Sequence, residues 1–279
     1  MITLVNIELF KIFRKWRTYI GFLAIAVIVG LIQLGMYYEG QGAVNQMTRS
    51  IQQSFVFVGN LLNGYFISYI ILGSLYVHMP FLITLVAGDL LAGEATAGTY
   101  RLLVTRPVTR FSIVTSKFIA GSIYTAVLVL FLAAVSLGFG MLIFGSGELI
   151  VANPGNVVIF SRDDVMWRFL AAYGCAILSM LVVTSLAFFL SSLVENSIGP
   201  IITTMAIIIV LLAITALNLD FFKPAIPYFF TSHTNIWHRF FTDPIDYNEI
   251  INSALVLLAH IFGFYGLALY IFHKKDILS

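Results

Sequence analysis

Six stretches of nearly unbroken apolar residues alternate with polar connections along this chain: Thr18–Tyr38, Gly64–Val86, Phe118–Phe144, Phe169–Leu193, Ile198–Leu219 and Ile251–Phe272. A hydrocarbon core of about 30 Å needs roughly 20 helical residues at 1.5 Å each, so each stretch is long enough to span. None contains Asp, Glu, Lys or Arg, in keeping with a cost of roughly 2.5–3.5 kcal/mol for a charge at the centre of a membrane helix. The runs are continuous and lack the ten-residue alternation of a barrel strand. The pattern predicts an all-α integral membrane protein of six transmembrane helices. Residues 1–279 form one membrane domain.

The connections carry the remaining information. Over Val5–Trp16, Val5, Leu9, Ile12, Phe13 and Trp16 share one helical face and Glu8, Lys11 and Lys15 another. That is the pattern of an amphipathic interfacial helix, placed over residues 1–17, with Lys11, Arg14, Lys15 and Trp16 at the membrane edge. Residues 88–117 form the one long charged connection on the side of the N-terminus. Within it Leu91, Ala95, Gly98 and Leu102 fall on one helical face and Glu94, Arg101 and Thr105 on another. Pro107 stops such a helix, and Thr109 is placed to cap the one that follows. Residues 220–250 are dense in aromatics (Phe221, Phe222, Tyr228, Phe229, Phe230, Trp237, Phe240, Phe241) and broken by Pro224, Pro227 and Pro244. Short helices dipping into the outer interface are expected there, because amphipathic rings favour that layer.

Charge orients the bundle. With the N-terminus inside, Lys11, Arg14, Lys15, Arg17, Arg101, Arg106, Arg110, Lys117, Lys274 and Lys275 face the cytoplasm, and only Arg49, Arg162, Arg168, Lys223 and Arg239 face out. The positive-inside rule then gives N-in and C-in. Arg110 and Lys117 read as snorkelling anchors, whereas an acidic Glu94 contributes nothing to topology and calls for a basic partner. Composition agrees with a membrane chain: 60% hydrophobic, 10% charged, mean hydropathy +0.98, where soluble domains average about 25% charged residues. A net charge of +2 gives no basis for nucleic-acid binding.

Candidate chemistry is sparse. There is no Gly-Lys pair for a phosphate-binding loop, no H-E-x-x-H, no G-x-S-x-G and no C-x-x-C. His233 and His238, near Asp243 and Asp246, fit no standard ligand spacing, so no metal is assigned. His78, two residues before Pro80, is placed to satisfy a carbonyl freed by the proline, and His260 is expected to bond to a neighbouring helix. A polytopic membrane enzyme, lipid-modifying or hydrolytic, is the alternative function class. It needs converging catalytic groups, and the spans offer two separate histidines without a carboxylate.

The stretch from Asp89 through Glu94, Gly98-Thr99, Leu102-Leu103 and Arg106-Pro107-Val108-Thr109-Arg110 to Lys117 resembles the type-2 ABC transporter permease family, with Tyr100 where Leu is usual and Thr105 and Thr109 for Ser. The six-span layout, the basic N-terminal helix, the aromatic outer loop and the Lys275-Asp276 tail are similar too. The resemblance implies an exporter subunit in the cytoplasmic (inner) membrane with no catalytic residues or cofactor of its own. A second permease copy, or a related permease, would pair with it, and separate ATPase subunits would carry ATP and Mg. The coupling residues would be Glu94, Gly98, Thr99, Arg101, Arg106 and Pro107, with Lys11, Arg14, Lys15 and Trp16 on the interfacial helix. Nothing in the pattern assigns a substrate.

Overall fold

The computed structural model describes residues 1–48, 61–98, 108–153 and 156–274. Helix α1 (Ile2–Arg14) is followed by α2 (Trp16–Thr48), α3 (Gly64–Ala87), the short α4 (Asp89–Thr96), α5 (Arg110–Phe144), the strands β1 (Leu149–Asn153) and β2 (Asn156–Phe160), α6 (Arg162–Leu193), α7 (Ile198–Leu217) and α8 (Tyr247–Lys274). Six helical segments are long and apolar enough to cross a membrane. This is an all-α multi-pass membrane architecture, with spans where the hydropathy pattern put them. Several helices run beyond the apolar runs: α6 takes in Arg162, Asp163, Asp164 and Arg168, and α2 reaches Thr48.

Burial sorts the spans into inner and outer ones. In α6, 67% of the most apolar window is buried, and 72% in the window that runs from the second half of α3 into α4; the figures are 22%, 17% and 22% for α2, α7 and α8. The second and fourth spans therefore form the centre, and the others present apolar side chains such as Leu31, Ile202, Ile209 and Phe262 outward. At the start of α3, Asn63 accepts hydrogen bonds from the N–H groups of Tyr65 and Phe66 (3.1 Å each), satisfying donors that a helix start leaves open. Gly64 follows, backed onto the end of α5. A Cβ there would lie 2.6 Å from the Gly140 carbonyl carbon, so only glycine permits this contact.

α5 contains a π-turn at Ala134–Phe139. Such a turn loosens the regular ladder, and neighbours take up the carbonyls. Gln33 on α2 donates to the Ser136 carbonyl (3.3 Å), as does the Ser68 hydroxyl on α3 (2.9 Å), while the Ser136 hydroxyl pairs with Tyr173 on α6 (2.7 Å). Four spans thus meet at one buried polar junction. His78 donates instead to Ser74 O (2.9 Å), a carbonyl one residue pair before the one Pro80 frees, and His260 donates to Val256 O within its own helix (2.8 Å). Neither bond crosses to another span, because a carbonyl four residues back is within easier reach.

At the end opposite α1, β1 and β2 pair antiparallel, Leu149 with Phe160 and Asn153 with Asn156. The connection before α8 holds single-turn helices at Ile226–Tyr228 and Phe230–His233 and a longer one at Thr234–Phe241. Half of its eight Phe, Tyr and Trp rings turn into the bundle and not toward lipid. Phe230, Trp237, Phe240 and Phe241 are buried, with Phe241 4.9 Å from Phe169 of α6 and Trp237 5.9 Å from Tyr69 of α3. Only Phe221 and Tyr228 stand out as exposed. Arg168 fixes this cap by donating to Phe240 O (2.8 Å), with its guanidinium 4.3 Å above the Phe160 ring.

Candidate functional site

The densest charge in the described residues lies at the end of the bundle formed by α1, α4 and the first turns of α5. Its centre is Lys117, on α5 and 1% exposed. An isolated ammonium buried this far would cost several kcal/mol, and two carboxylates offset it. Lys117 Nζ donates to Glu8 Oε2 (2.7 Å) and to Glu94 Oε1 (2.9 Å). Lys11 Nζ closes the ring from above, donating to Glu8 Oε1 and Glu94 Oε1, both at 2.9 Å. Two cations and two anions from three helices balance. Partial burial lowers the Lys11 pKa, and the hydrogen bonds and charges of Glu94 and Glu8 outweigh it, leaving the group above the usual lysine value. Next to this ring, Lys15 donates to Asp89 Oδ2 (2.6 Å), with Arg17 3.8 Å from the other oxygen.

This arrangement alters the reading of α1. Glu8 does not lie on a water-facing stripe; it is buried beside Val5 and Ile12 in the face that packs on α5. The cation waiting at Lys117 makes that burial affordable. Phe10 and Ile2 consequently point outward, Trp16 is 73% exposed, and Arg14 is exposed. Lys117 is not a snorkelling anchor, since its ammonium points into the protein. Arg110 likewise does more than anchor: its Nη1 donates to Phe272 O (3.2 Å) and His273 O (2.8 Å), holding the last turn of α8.

α4 is set in place by α6. Ser191 Oγ donates to Gly88 O (2.6 Å) and accepts from the N–H groups of Leu91 (3.2 Å) and Ala92 (2.8 Å), so one hydroxyl bridges the break between α3 and α4. At the other end of α4, Thr96 Oγ1 lies 2.6 Å from Glu195 O in the turn between α6 and α7. α4 starts at Asp89 and stops at Thr96, so only the first part of the helix expected to run through Glu94 toward Pro107 falls within the described residues. Gly98 explains the stop. Its φ of +65° is left-handed, and its N–H donates to Ala95 O (3.0 Å), which ends the helix. The expected helical face through Ala95 and Gly98 therefore does not exist. Thr99, Arg101, Arg106 and Pro107 lie outside the described residues. Thr109 caps α5 as expected, accepting from Ser112 N (3.2 Å).

Of the sequence-predicted residues, the structure brings Glu94, Lys11 and Lys15 into one cluster and leaves Arg14 and Trp16 outside it. Glu8, Lys117, Asp89 and Ser191 are the members that sequence reasoning gave other roles or none. At the opposite end, His238 Nε2 lies 2.7 Å from Tyr69 Oη, and His233 bonds with Ser253 (2.9 Å) and Pro227 O (2.8 Å), so the two histidines serve separate contacts.

Fold and cluster together define a six-span α-helical membrane protein whose N-terminal helix and a short charged helix are ion-paired to the third span. The chain belongs to the family described as a protein of unknown function (DUF2705), whose model matches residues 23–278. It is also 29% identical over 205 residues to the uncharacterized protein YhcI of Bacillus subtilis (strain 168), a match covering 70% of this chain and 63% of that relative's length.

Proposed function

We propose that this chain is the membrane-spanning subunit of an ABC exporter, passing the force of ATP hydrolysis in a separate ATPase to the spans. The observation that carries the reading is the ion ring Glu8–Lys11–Glu94–Lys117. A push on α4 or α1 in such a ring is transmitted to the third span, because separating the charges would strand them in a low-dielectric site. The permease-like stretch from Asp89 to Lys117 adds to it. In this reading both termini and α4 face the cytoplasm, α1 lies at the inner interface, and the protein resides in the cytoplasmic membrane. The outward apolar surfaces of α2 and α7 offer a face to a second copy. ATP and Mg belong to the partner.

The test is co-expression with the ATPase encoded nearest to this gene. The pair should co-purify from membranes, and ATP hydrolysis by the complex should fall at least tenfold in Glu94→Gln while the chain still inserts. Failure of any Walker-motif ATPase to co-purify with the wild type would sink the proposal.

A further inference from the structure

A cavity beneath the aromatic cap, away from the ion ring, carries an inference independent of the exporter reading. It holds about 110 Å³ and lies within one chain, between α3, α6 and α7. Its floor is closed, with Met180 and Val183 of α6 and Ile208 of α7 all buried. Its mouth is open, because Val77 of α3 and Leu212 of α7 on its wall are exposed. Both stand on spanning helices, so the opening meets the hydrocarbon layer. Thr231 and Asn235 of the cap supply its polar side. Thr231 is 4% exposed, and its hydroxyl has no hydrogen-bond partner among the described residues. A helical threonine can turn its hydroxyl back to the carbonyl four residues earlier. Here that carbonyl, Pro227 O, is engaged by His233 Nε2 (2.8 Å), and Thr231 O accepts from Thr234 Oγ1 (2.8 Å). The hydroxyl is left without a bond in the wall of an apolar cavity.

We infer that this cavity is a binding site for a small uncharged amphiphile entering from the hydrocarbon layer, an apolar ring or short chain that bears one hydroxyl or carbonyl for Thr231. Charge excludes an ion, since no lining residue is charged and an ionised ligand would be stranded without a partner. Size sets the body: a closed apolar cavity of about 150 Å³ accepts benzene, so this smaller one, open on one side, takes a ring or short chain whose end projects toward lipid. The hydroxyl sets the polar group. An unpaired buried hydroxyl gains most from an occupant that bonds to it, and the Asn235 amide beside it can both donate and accept. Water would satisfy Thr231 but leave the apolar walls wet.

The full chain in lipid nanodiscs would be titrated separately with para-fluorophenol and para-fluorotoluene, which are alike in size but differ in the hydrogen-bonding group. Saturable binding above protein-free nanodiscs is read by fluorine NMR. Wild type should bind the phenol about fivefold more tightly than the toluene, roughly the net effect of one hydrogen bond. Thr231→Val, of nearly the same shape, should bring the two probes to parity, whereas Thr231→Ser should keep the preference. Because Thr231→Val removes an unpaired buried hydroxyl, its unfolding midpoint without probe should equal or exceed that of wild type. Leu212→Trp, at the exposed mouth, should weaken both probes by about fivefold or more. The assignment is overturned if wild type shows no saturable binding or holds both probes equally, the latter being the behaviour of a merely apolar cavity. It is also overturned if Thr231→Val keeps the preference or unfolds at a lower midpoint, or if Leu212→Trp binds both probes as wild type does.

Discussion

Lys117 donates to Glu8 across 109 positions of sequence, at 2.7 Å and in a site closed to solvent. The contact joins the N-terminal helix to the third span, and Glu94, reached by the same ammonium, joins α4 to both. Removing one member of a buried ion cluster is more damaging than its share of contacts suggests, because the opposite charges stay buried without compensation.

Lys117→Met should therefore destabilise the chain by about 3–5 kcal/mol, read as a lowered midpoint of thermal unfolding in detergent. Lys11→Met should cost less, since its side chain is 40% exposed and water replaces part of what is lost. Equal midpoints for Lys117→Met and wild type would show that the ring does not hold α1 in place.

Gly98 offers a test that separates two reasons for a glycine. Its φ is +65°, and among the described residues no atom stands within 4 Å of where a Cβ would be. Gly98→Ala should cost about 1 kcal/mol for the left-handed backbone, and Gly98→Asn less, because Asn tolerates that region. Gly98→Trp should be no worse than Gly98→Ala in the isolated chain. A much larger loss for Trp would mean that a packed neighbour, and not the backbone, requires glycine here.

The spans were legible because a continuous apolar run longer than about 20 residues has few alternatives. The Thr109 cap was legible for a local reason, a hydroxyl three residues before a donor. The hairpin was legible and went unread: β-branched runs on either side of Asn153-Pro154-Gly155-Asn156 are a hairpin signal. The ion ring is different. Helical periodicity put Glu8 with Lys11 and Lys15 on a polar stripe and gave no hint that a lysine 109 residues away would turn it inward. Hydropathy also treats Lys117 as the edge of a span, whether its ammonium points to water or to protein. The direction of the aromatic cap was hidden for a similar reason, since rings that favour the interface also pack well against Tyr69 and Phe169.

The outer cap should respond to acid. Burial, and then the neighbouring charge of Arg239, hold the His238 pKa below its ordinary 6.5, and Tyr69 bonds to its ring. A depressed pKa means that the unfolded chain binds the proton more readily. The stability linked to His238 is thus present above pH 6.5 and is lost as the pH falls through the folded-state value. Between pH 7.5 and 5.5 the unfolding midpoint of wild type should drop further than that of His238→Gln. Parallel pH profiles would mean that His238 does not contribute to acid sensitivity.

Topology gives the last expectation, and it bears on which side the ion ring works. Ten of the fifteen Lys and Arg residues fall on the side of the N-terminus when six spans are threaded from it, and short cationic connections are retained in the cytoplasm. An even number of spans returns the chain to its starting side, so Ser279 and α4 should share a compartment with α1, while the β1–β2 hairpin should not. Reporter fusions after Ser279 and within residues 154–155 should report cytoplasmic and non-cytoplasmic locations, respectively. A cysteine introduced at the exposed Phe221 should be labelled by an impermeant thiol reagent in intact cells, in a Cys175→Ser background that removes the native thiol. If both fusions report one compartment, the chain does not cross the membrane as the six helices suggest. If they report the reverse order, the ring of Lys117 faces away from the cytoplasm, and no cytoplasmic ATPase could act on it.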